Sequence, residues 1–210
     1  MIWNRQNPYL AKITSKKLLS GESSNKEVIH YEISLGDSGI IYQPGDSLGV
    51  FPSNDKNLIT AIIDRLQISP DYIPEGYELN IYELLENKFE ILTPTNRFIN
   101  FINDNINNKE LNSVINSNNK KMFLDFKYGK DIFDFMKLDK NLKFDLVHFL
   151  SLLKPLQHRA YSIASSNLLN KNTVHLSVST QRWKRKSREY GGVCSTFLSD
   201  RCEIGTRVKI

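Results

Sequence analysis

Two changes in the spacing of apolar residues constrain the fold more than any other feature of the sequence. Towards both ends, apolar side chains recur at about every second position, which is the period of a half-buried strand. Over the middle they recur every three or four positions, which is the period of an amphipathic helix. The sequence therefore predicts a mainly β fold with added helices: a discontinuous β-domain over residues 1–53 and 155–210, interrupted by an all-helical insertion over residues 54–154.

The strand period is clearest in three segments. Tyr9–Leu19 and Glu27–Leu35 precede turns rich in glycine, proline and aspartate. In the third segment the apolar residues Val174, Leu176 and Val178 alternate with polar ones. A last strand begins near Arg207, and the sequence ends on it without a following helix, which predicts a chain that once continued or was cut at a boundary.

The helical spacing predicts a first helix with Ser53 or Asn54 as its N-cap. Further helices are predicted at Ile81–Asn87, Asn96–Asn105, Leu111–Asn116 and Phe144–Leu153. The stretch Asn103–Lys121 is rich in asparagine and lysine, and we interpret it as solvated helix faces and loops rather than as a motif.

Composition excludes several classes of protein. The 210 residues are 40% hydrophobic with a net charge of +5, which suits a packed domain and identifies no partner. The polar start with Pro8 is no signal peptide, and no apolar run approaches the roughly 20 residues that span a bilayer. Two cysteines form neither a disulfide framework nor a metal pattern, and the four histidines are scattered. We therefore expect a cytoplasmic chain without a metal site.

The segment Arg159–Ser166 carries a fixed cation, a flat aromatic ring and a hydroxyl in one extended stretch. In a strand, Arg159 and Tyr161 share a face, so a guanidinium could pair with a diphosphate while a planar ring stacks on the phenol. Taken alone, the segment could equally be an ordinary strand with an exposed arginine.

The segment Gly191–Leu198 places two glycines directly before an amphipathic start, with Ser195 and Thr196 in the first turn. A helix N-terminus presents unpaired N–H groups and a partial positive charge, and glycine lets a phosphate come close. Taken alone, it could also be a plain glycine turn, with Cys194 a small packing residue or a reactive thiol.

Together, the two segments resemble the Arg-x-Tyr-Ser and Gly-x-x-Ser/Thr motifs of the ferredoxin–NADP reductase type of FAD-binding domain. Tyr42–Val50 and Leu152–Leu156 extend the resemblance to NADPH-dependent diflavin reductases, and Leu35–Gly39 and Ser162–Ser166 are most similar to the sulfite reductase flavoproteins. The resemblance implies a six-stranded antiparallel Greek-key FAD-binding barrel with an inserted helical connecting domain.

The resemblance also implies residue roles. Arg159 would bind the FAD diphosphate, Tyr161 would stack on the isoalloxazine, and Ser162, the catalytic candidate, would hydrogen-bond near flavin N5. The other implied FAD contacts are Ala160 in the same strand, Ser177, Val178 and Ser179 near the ribityl and ribose, Trp183 near the adenine, Gly191, Gly192, Val193, Cys194 and Ser195 around the diphosphate, and Thr93 at the flavin.

As for activity, the resemblance implies hydride transfer from NADPH to FAD, then single electrons to FMN, and a sulfite reductase hemoprotein as acceptor in sulfur assimilation. No nicotinamide fingerprint follows Ile210 and no flavodoxin-like segment precedes residue 8. The NADP-binding and FMN-binding domains are therefore expected outside this sequence, and neither nucleic acid nor membrane is expected as a partner.

Two other functional hypotheses stay open at this stage. One is a non-functional remnant of such a reductase. The abundance of asparagine, isoleucine and lysine, which is typical of an AT-rich genome, and the abrupt ends of the sequence favour this hypothesis. The other is a nucleic-acid or partner-binding module that uses the basic run Lys184–Arg188, although we expect that run to be a solvated hairpin loop.

Overall fold

The chain folds into two compact units. The computed structural model describes residues 3–210, so Met1 and Ile2, the first residues of the predicted β-domain, lie outside it. Unit 1 is formed by the chain up to Ser53 together with Gln157–Ile210, and unit 2 is Asn54–Leu156. Over the described residues the fold is mixed α and β, with eight α-helices and antiparallel strand pairing throughout.

The strands in chain order are β1 (Leu10–Leu18), β2 (Glu27–Ser34), β3 (Ser47–Val50), β4 (Phe89–Glu90), β5 (Lys154–Pro155), β6 (Arg159–Ser162), β7 (Thr173–Thr180), β8 (Arg182–Arg185), β9 (Arg188–Gly191) and β10 (Arg207–Lys209). The helices are α1 (Lys56–Leu66), α2 (Ile81–Asn87), α3 (Asn96–Asn105), α4 (Lys109–Asn116), α5 (Lys120–Lys127), α6 (Ile132–Met136), α7 (Leu146–Leu152) and α8 (Val193–Thr196), and α8 continues into a π-helical segment, Phe197–Arg201.

A four-stranded antiparallel sheet, in the order β10-β1-β2-β7, forms the body of unit 1. Its inward face follows the period of two that the sequence shows, because alternate side chains of a strand point to opposite sides. The predicted alternation in β7 is confirmed. The buried apolar residues of the sheet include Ile13, Ile29, Ile33, Val174, Leu176, Val178 and Val208.

The other strands form three two-stranded sheets, β3-β6, β4-β5 and β8-β9, so that no closed barrel is found among the described residues. The predicted six-stranded barrel is therefore not seen as one continuous sheet. Single bridges nevertheless extend the β3-β6 pair at both edges. Phe51 bridges to Lys209 of β10, and Ile163 bridges to Leu176 of β7.

Unit 2 is helical because polar residues begin its helices and apolar residues fill its centre. A side-chain oxygen accepts a backbone N–H at the start of each of α1–α7. These caps are Asp55, Asn80, Thr95, Asn108, Asn119, Asp131 and Asp145. Two of them, Asn108 and Asn119, lie in the stretch interpreted above as solvated helix faces and loops. In that stretch they begin α4 and α5. Fully buried aromatic rings in the core are Phe98, Phe135 and Phe149.

The predicted N-cap of α1 is wrong by one residue. The carboxylate of Asp55 accepts from the backbone of Asn57 at 3.0 Å and of Leu58 at 3.1 Å. Asn54 is buried instead, and its amide donates to the carbonyls of Leu85 at 2.6 Å and Phe89 at 2.7 Å. A side chain committed to those two carbonyls cannot also cap the helix.

Both ends of unit 2 lie on the same short segment. The backbone N–H of Asn54 donates to the carbonyl of Glu86 at 2.9 Å, and that of Leu156 donates to the carbonyl of Lys88 at 2.7 Å. Strand β5 also pairs with β4, with Pro155 opposite Phe89. The first and last residues of the unit are thus held close together. No helix within residues 3–210 is both long and apolar enough to cross a membrane.

Candidate functional site

Strand β6 presents two half-buried side chains on one face and two exposed ones on the other. Arg159 and Tyr161 are half-buried, while Ala160 and Ser162 are exposed. The strand is fixed by β3, where Val50 lies opposite Arg159 and Ser47 opposite Ser162. The sequence-predicted arginine and tyrosine therefore do share one face.

The glycine segment forms a tight turn into α8. The N–H of Gly192 donates to the carbonyl of Gln181 at 2.9 Å, and the N–H of Gln181 donates to the hydroxyl of Ser195 at 3.1 Å. A Cβ on Gly191 would lie 2.2 Å from the methyl carbon of Thr196, and one on Gly192 would lie 2.8 Å from the Ser195 hydroxyl. Both contacts are far below normal separations, so a side chain at either position would force Thr196 or Ser195 to move.

The two motifs meet at Cys194. The Cys194 thiol donates to the Val50 carbonyl at 3.6 Å, and Val50 lies opposite Arg159 of β6. The Tyr161 phenol is near enough to this thiol for each group to affect the pKa of the other. The Arg159 charge acts on the same thiol. Strand β6 and the glycine turn, which are separate in the sequence, therefore form one constellation in unit 1.

Burial controls the protonation of this constellation. Burial first, and then the Cys194 thiol, raises the pKa of the Tyr161 phenol above its ordinary value. Burial also raises the pKa of the Cys194 thiol to about 11. Both groups are neutral near pH 7, and a neutral buried thiol is a poor nucleophile. Cys194 is accordingly a packing residue of the turn rather than a reactive thiol.

A second arginine reaches the start of α8. The Arg201 guanidinium donates to the carbonyl of Ser53 at 2.9 Å and to that of Val193 at 3.4 Å. No sequence motif includes Arg201. In the sequence it is only a cation about two helical turns after the glycine pair, and such a spacing is too common to indicate a role.

The remaining predicted site residues are spread over unit 1, with one in unit 2. In β7, Val178 is buried in the core, Ser179 is half-buried and Ser177 is exposed. In β8, Trp183 stacks on Tyr190 of β9, with ring centroids 5.8 Å apart and planes within 3°. Thr93 is exposed in the loop between β4 and α3 of unit 2, outside the constellation.

The prediction of scattered histidines is wrong for two of them. His30 on β2 and His175 on β7 lie with Glu32 in one cluster whose nitrogen and oxygen atoms are all within 4.8 Å of one another. Strand pairing causes this, because Glu32 lies directly opposite His175. The spacing of residues along the chain does not show which side chains lie opposite each other on paired strands, so it could not predict this cluster.

The donor set at the constellation suits a dinucleotide diphosphate. Arg159 supplies a fixed cation, and within the described residues no side chain caps the start of α8, where Gly192 stands at the N-cap. Amide groups at such a start favour an anion, and a guanidinium adds charge-assisted hydrogen bonds. The residues present therefore fit the diphosphate of a flavin adenine dinucleotide.

Comparison with known proteins agrees with this class of site. The family described as FAD binding domain matches residues 3–95 and 74–197. The chain therefore belongs to the FAD-binding domain family, and FAD is its cofactor.

Three relatives make the similarity more specific. The sulfite reductase [NADPH] flavoprotein alpha-component of Mannheimia succiniciproducens is 35% identical over 99% of this chain and 35% of its own length. The proteins of the same name from Bacillus subtilis and Zymomonas mobilis are 31% and 33% identical over 99% and 95% of this chain, and 35% and 33% of their own lengths. The chain thus spans about a third of these relatives.

Proposed function

We propose that residues 1–53 and 155–210 form a six-stranded antiparallel Greek-key barrel that binds FAD, and that residues 54–154 form an inserted connecting domain. The two bridges described above support the barrel. They join the β3-β6 pair to β10 on one side and to β7 on the other, which are the two edge strands of the four-stranded sheet. A ring of six strands removes the exposed edges of an open sheet.

The contact of Cys194 with Val50, the residue opposite Arg159, is the observation that supports this assignment of the FAD site. In this proposal the guanidinium of Arg159 and the glycine turn would hold one diphosphate together. The ring of Tyr161 would stack on the isoalloxazine, because its half-buried position fixes the ring in place. Gly191, Gly192, Val193, Cys194 and Ser195 would surround the phosphates.

The other roles follow the same placement. Ser162 is exposed on β6 and would offer its hydroxyl near flavin N5. Ala160, exposed on the same face of β6, would also contact the FAD. Ser177 and Ser179 would meet the ribityl and ribose through their hydroxyls, and Val178 through its backbone only, since its side chain is buried. Trp183, which stacks on Tyr190, would lie near the adenine.

The chain serves, in this proposal, as the FAD-binding electron-transfer module of an NADPH-dependent diflavin reductase, an oxidoreductase of the sulfite reductase flavoprotein type. FAD when bound supplies hydride acceptance and single-electron donation. The protein binds it, orients it and excludes water from the diphosphate. The proposed partners are NADP-binding and FMN-binding domains, with a sulfite reductase hemoprotein as acceptor in cysteine biosynthesis. Two free, buried cysteines suit the cytoplasm as its compartment.

Identification of the released cofactor tests the flavin assignment. The purified chain should be yellow, and chromatography after heat denaturation should recover FAD. Recovery of FMN alone, or a colourless chain that takes up no FAD, would contradict it. Arg159→Ala should weaken FAD binding about tenfold or more, since charge-assisted hydrogen bonds contribute about 1.5–3 kcal/mol each. Lys184→Ala, in the exposed hairpin, is the matched control and should change little.

Reduction kinetics test the electron-transfer role. Hydride transfer needs the nicotinamide within about 3–3.5 Å of the flavin in an aligned pose, which the proposal assigns to a separate NADP-binding domain. The isolated chain should therefore bleach with dithionite but react only slowly with NADPH. Adding an NADP-binding domain as a second chain should restore part of the rate. Fast reduction by NADPH without it would contradict the proposed division of labour.

A further inference from the structure

A group of metal-ligating side chains lies on the four-stranded sheet of unit 1, apart from the constellation of Tyr161 and Cys194. His30 and Glu32 are two positions apart on β2, so their side chains point to the same face. His175 on β7 lies directly opposite Glu32, and its side chain therefore points to that face too. Three side chains of the types that bind metal thus converge from two neighbouring strands.

The distances within this group are short. The Nε2 atom of His30 is 3.8 Å from one carboxylate oxygen of Glu32, and the Nε2 atom of His175 is 4.0 Å from the other. The two imidazole rings have centroids 5.1 Å apart and planes at 87° to each other. Both imidazoles therefore direct a nitrogen towards the same carboxylate.

We propose that His30, Glu32 and His175 form a binding site for a divalent transition-metal ion of the zinc type. Two imidazoles with one carboxylate are a common zinc ligand set, and a fourth position stays open to water. Ligands about 2.0–2.2 Å from a tetrahedral zinc ion lie about 3.3 Å apart, so these atoms need to approach by only about 0.5–1.5 Å. Small rotations of partly exposed side chains provide that movement.

The exposure of the three side chains allows an ion to enter. The side chain of Glu32 is 38% exposed, that of His30 is 23% and that of His175 is 18%. One cation opposes binding. Lys17 on β1 lies opposite His30, and its exposed side chain can turn its ammonium group into solvent. The charge cost at this site is therefore small, because exposed charges are screened by water.

Zinc titration of the full chain, freed of metal with a chelator, tests the site. Calorimetry should show one saturable Zn²⁺ site. His30→Gln, Glu32→Gln and His175→Gln should each weaken zinc binding about tenfold or more, as even groups that only support a ligand change affinity by about 10–100-fold. His148→Gln is the matched control, because His148 is an exposed histidine of α7 in unit 2, and it should leave zinc affinity unchanged.

Two results would overturn the proposal. One is the absence of saturable zinc binding by the wild-type chain, a measurement that requires no variant to fold. The other is zinc affinity that survives all three substitutions, which would assign the ion to other residues such as the cysteines. Magnesium gives a further check. Imidazole ligands disfavour Mg²⁺, so equal affinity for Mg²⁺ and Zn²⁺ would contradict a histidine site.

Discussion

Polar side chains cap the helices of unit 2, whereas no described side chain caps α8 of unit 1. In unit 2, each of the seven helices begins at an aspartate, asparagine or threonine that accepts a backbone N–H. In unit 1, α8 begins at Gly192, and no described side chain caps it. Capping stabilises a helix, whereas an uncapped start leaves amides for a ligand. The difference distinguishes a unit whose helices are closed by its own side chains from one in which the start of α8 is open to the ligand of the proposed site.

Aromatic residues show the same difference. In unit 2, phenylalanine rings pack edge to face, as do Phe98 and Phe149 with centroids 6.0 Å apart. In unit 1, the buried Tyr42 keeps its hydroxyl hydrogen-bonded, to Ser165 at 2.6 Å and to the carbonyl of Thr173 at 2.9 Å. The buried hydroxyl of Tyr31, by contrast, has no hydrogen-bond partner among the described residues. The aromatic rings of the core of unit 2 are thus phenylalanines packed against one another, while in unit 1 a tyrosine hydroxyl is also oriented by hydrogen bonds.

Removing a ring from the core of unit 2 should have the largest effect. Phe98 is fully buried, so Phe98→Ala should lower the free energy of unfolding by about 3–5 kcal/mol, through lost burial and the cavity left behind. Urea denaturation measures the change. Leu168→Ala is the control, because Leu168 is 88% exposed and should shift stability by less than about 0.5 kcal/mol. A loss below about 1 kcal/mol for Phe98→Ala would contradict a tightly packed core.

Adding one carbon to the glycine turn of unit 1 should have the next largest effect. In Gly191→Ala the new carbon would meet the methyl carbon of Thr196 at 2.2 Å, so either the Thr196 side chain or the turn must shift. Overpacking of this kind costs about 1–3 kcal/mol and should weaken FAD binding in parallel. Gly21→Ala is matched, since no atom lies within 4 Å of its added carbon. Equal FAD affinities of the two variants, measured by flavin titration, would refute the role of the turn.

Removing a helix cap from unit 2 should have a smaller effect. Asn80 accepts from the N–H of Glu83 at 2.9 Å, and the Glu83 carboxylate accepts from the N–H of Asn80 at 3.2 Å. Asn80→Ala should therefore cost about 1 kcal/mol of unfolding free energy. Asn100→Ala, at an exposed position within α3, is the control. It should be neutral or slightly stabilising, because alanine is the better helix former. Identical denaturation midpoints would show that the cap contributes nothing.

A charge pair at the surface of unit 1 should have the smallest effect. Hydrogen bonds from Arg182, at 2.6 and 2.7 Å, lower the pKa of the Asp200 carboxyl below its ordinary value. A lowered folded-state pKa gives stability above the unfolded pKa of about 3.9, and this stability is lost as the pH falls through the folded pKa. Asp200→Asn should therefore cost less than about 1 kcal/mol at pH 7, because both side chains are partly exposed, and the difference should shrink below about pH 4.

Thermal unfolding at several pH values measures this difference. Glu189→Gln is the control, because the Lys184–Glu189 pair is 4.0 Å apart and well exposed, so no change is expected. A cost for Asp200→Asn that grows as the pH falls below about 4 would show that the sign of the linkage is wrong.

The sequence predicted secondary structure best where strong spacing and a cap coincide. The predicted bounds of α2 and α3 are confirmed, while α4 begins two residues earlier than predicted and α7 is shorter at both ends. Helices α5 and α6 were not predicted. Helix α5 has Phe126 as its single buried residue, and α6 has only five residues, so neither shows enough of a period.

The sequence predicted those parts of the site whose residues lie close to one another along the chain. Arg159, Tyr161 and the glycine turn are visible as motifs. The contact that joins Cys194 to Val50, opposite Arg159, is not, because it depends on how distant strands pair. The same reason hides the cluster of His30 and His175, which only the register of β2 against β7 brings together.

The anchoring of both ends of unit 2 on residues 86–89 has a consequence for the order of folding. Strand β3 must pair with β6 across the whole of unit 2, and closing a flexible loop of about a hundred residues is slow and costly in entropy. Unit 2 holds Asn54 and Leu156 against one segment, so once it has folded it acts as a short link between β3 and β6. This removes about 2–3 kcal/mol of loop-closure entropy from the folding of unit 1. Early folding of the inserted unit would thus lower the barrier to pairing β3 with β6.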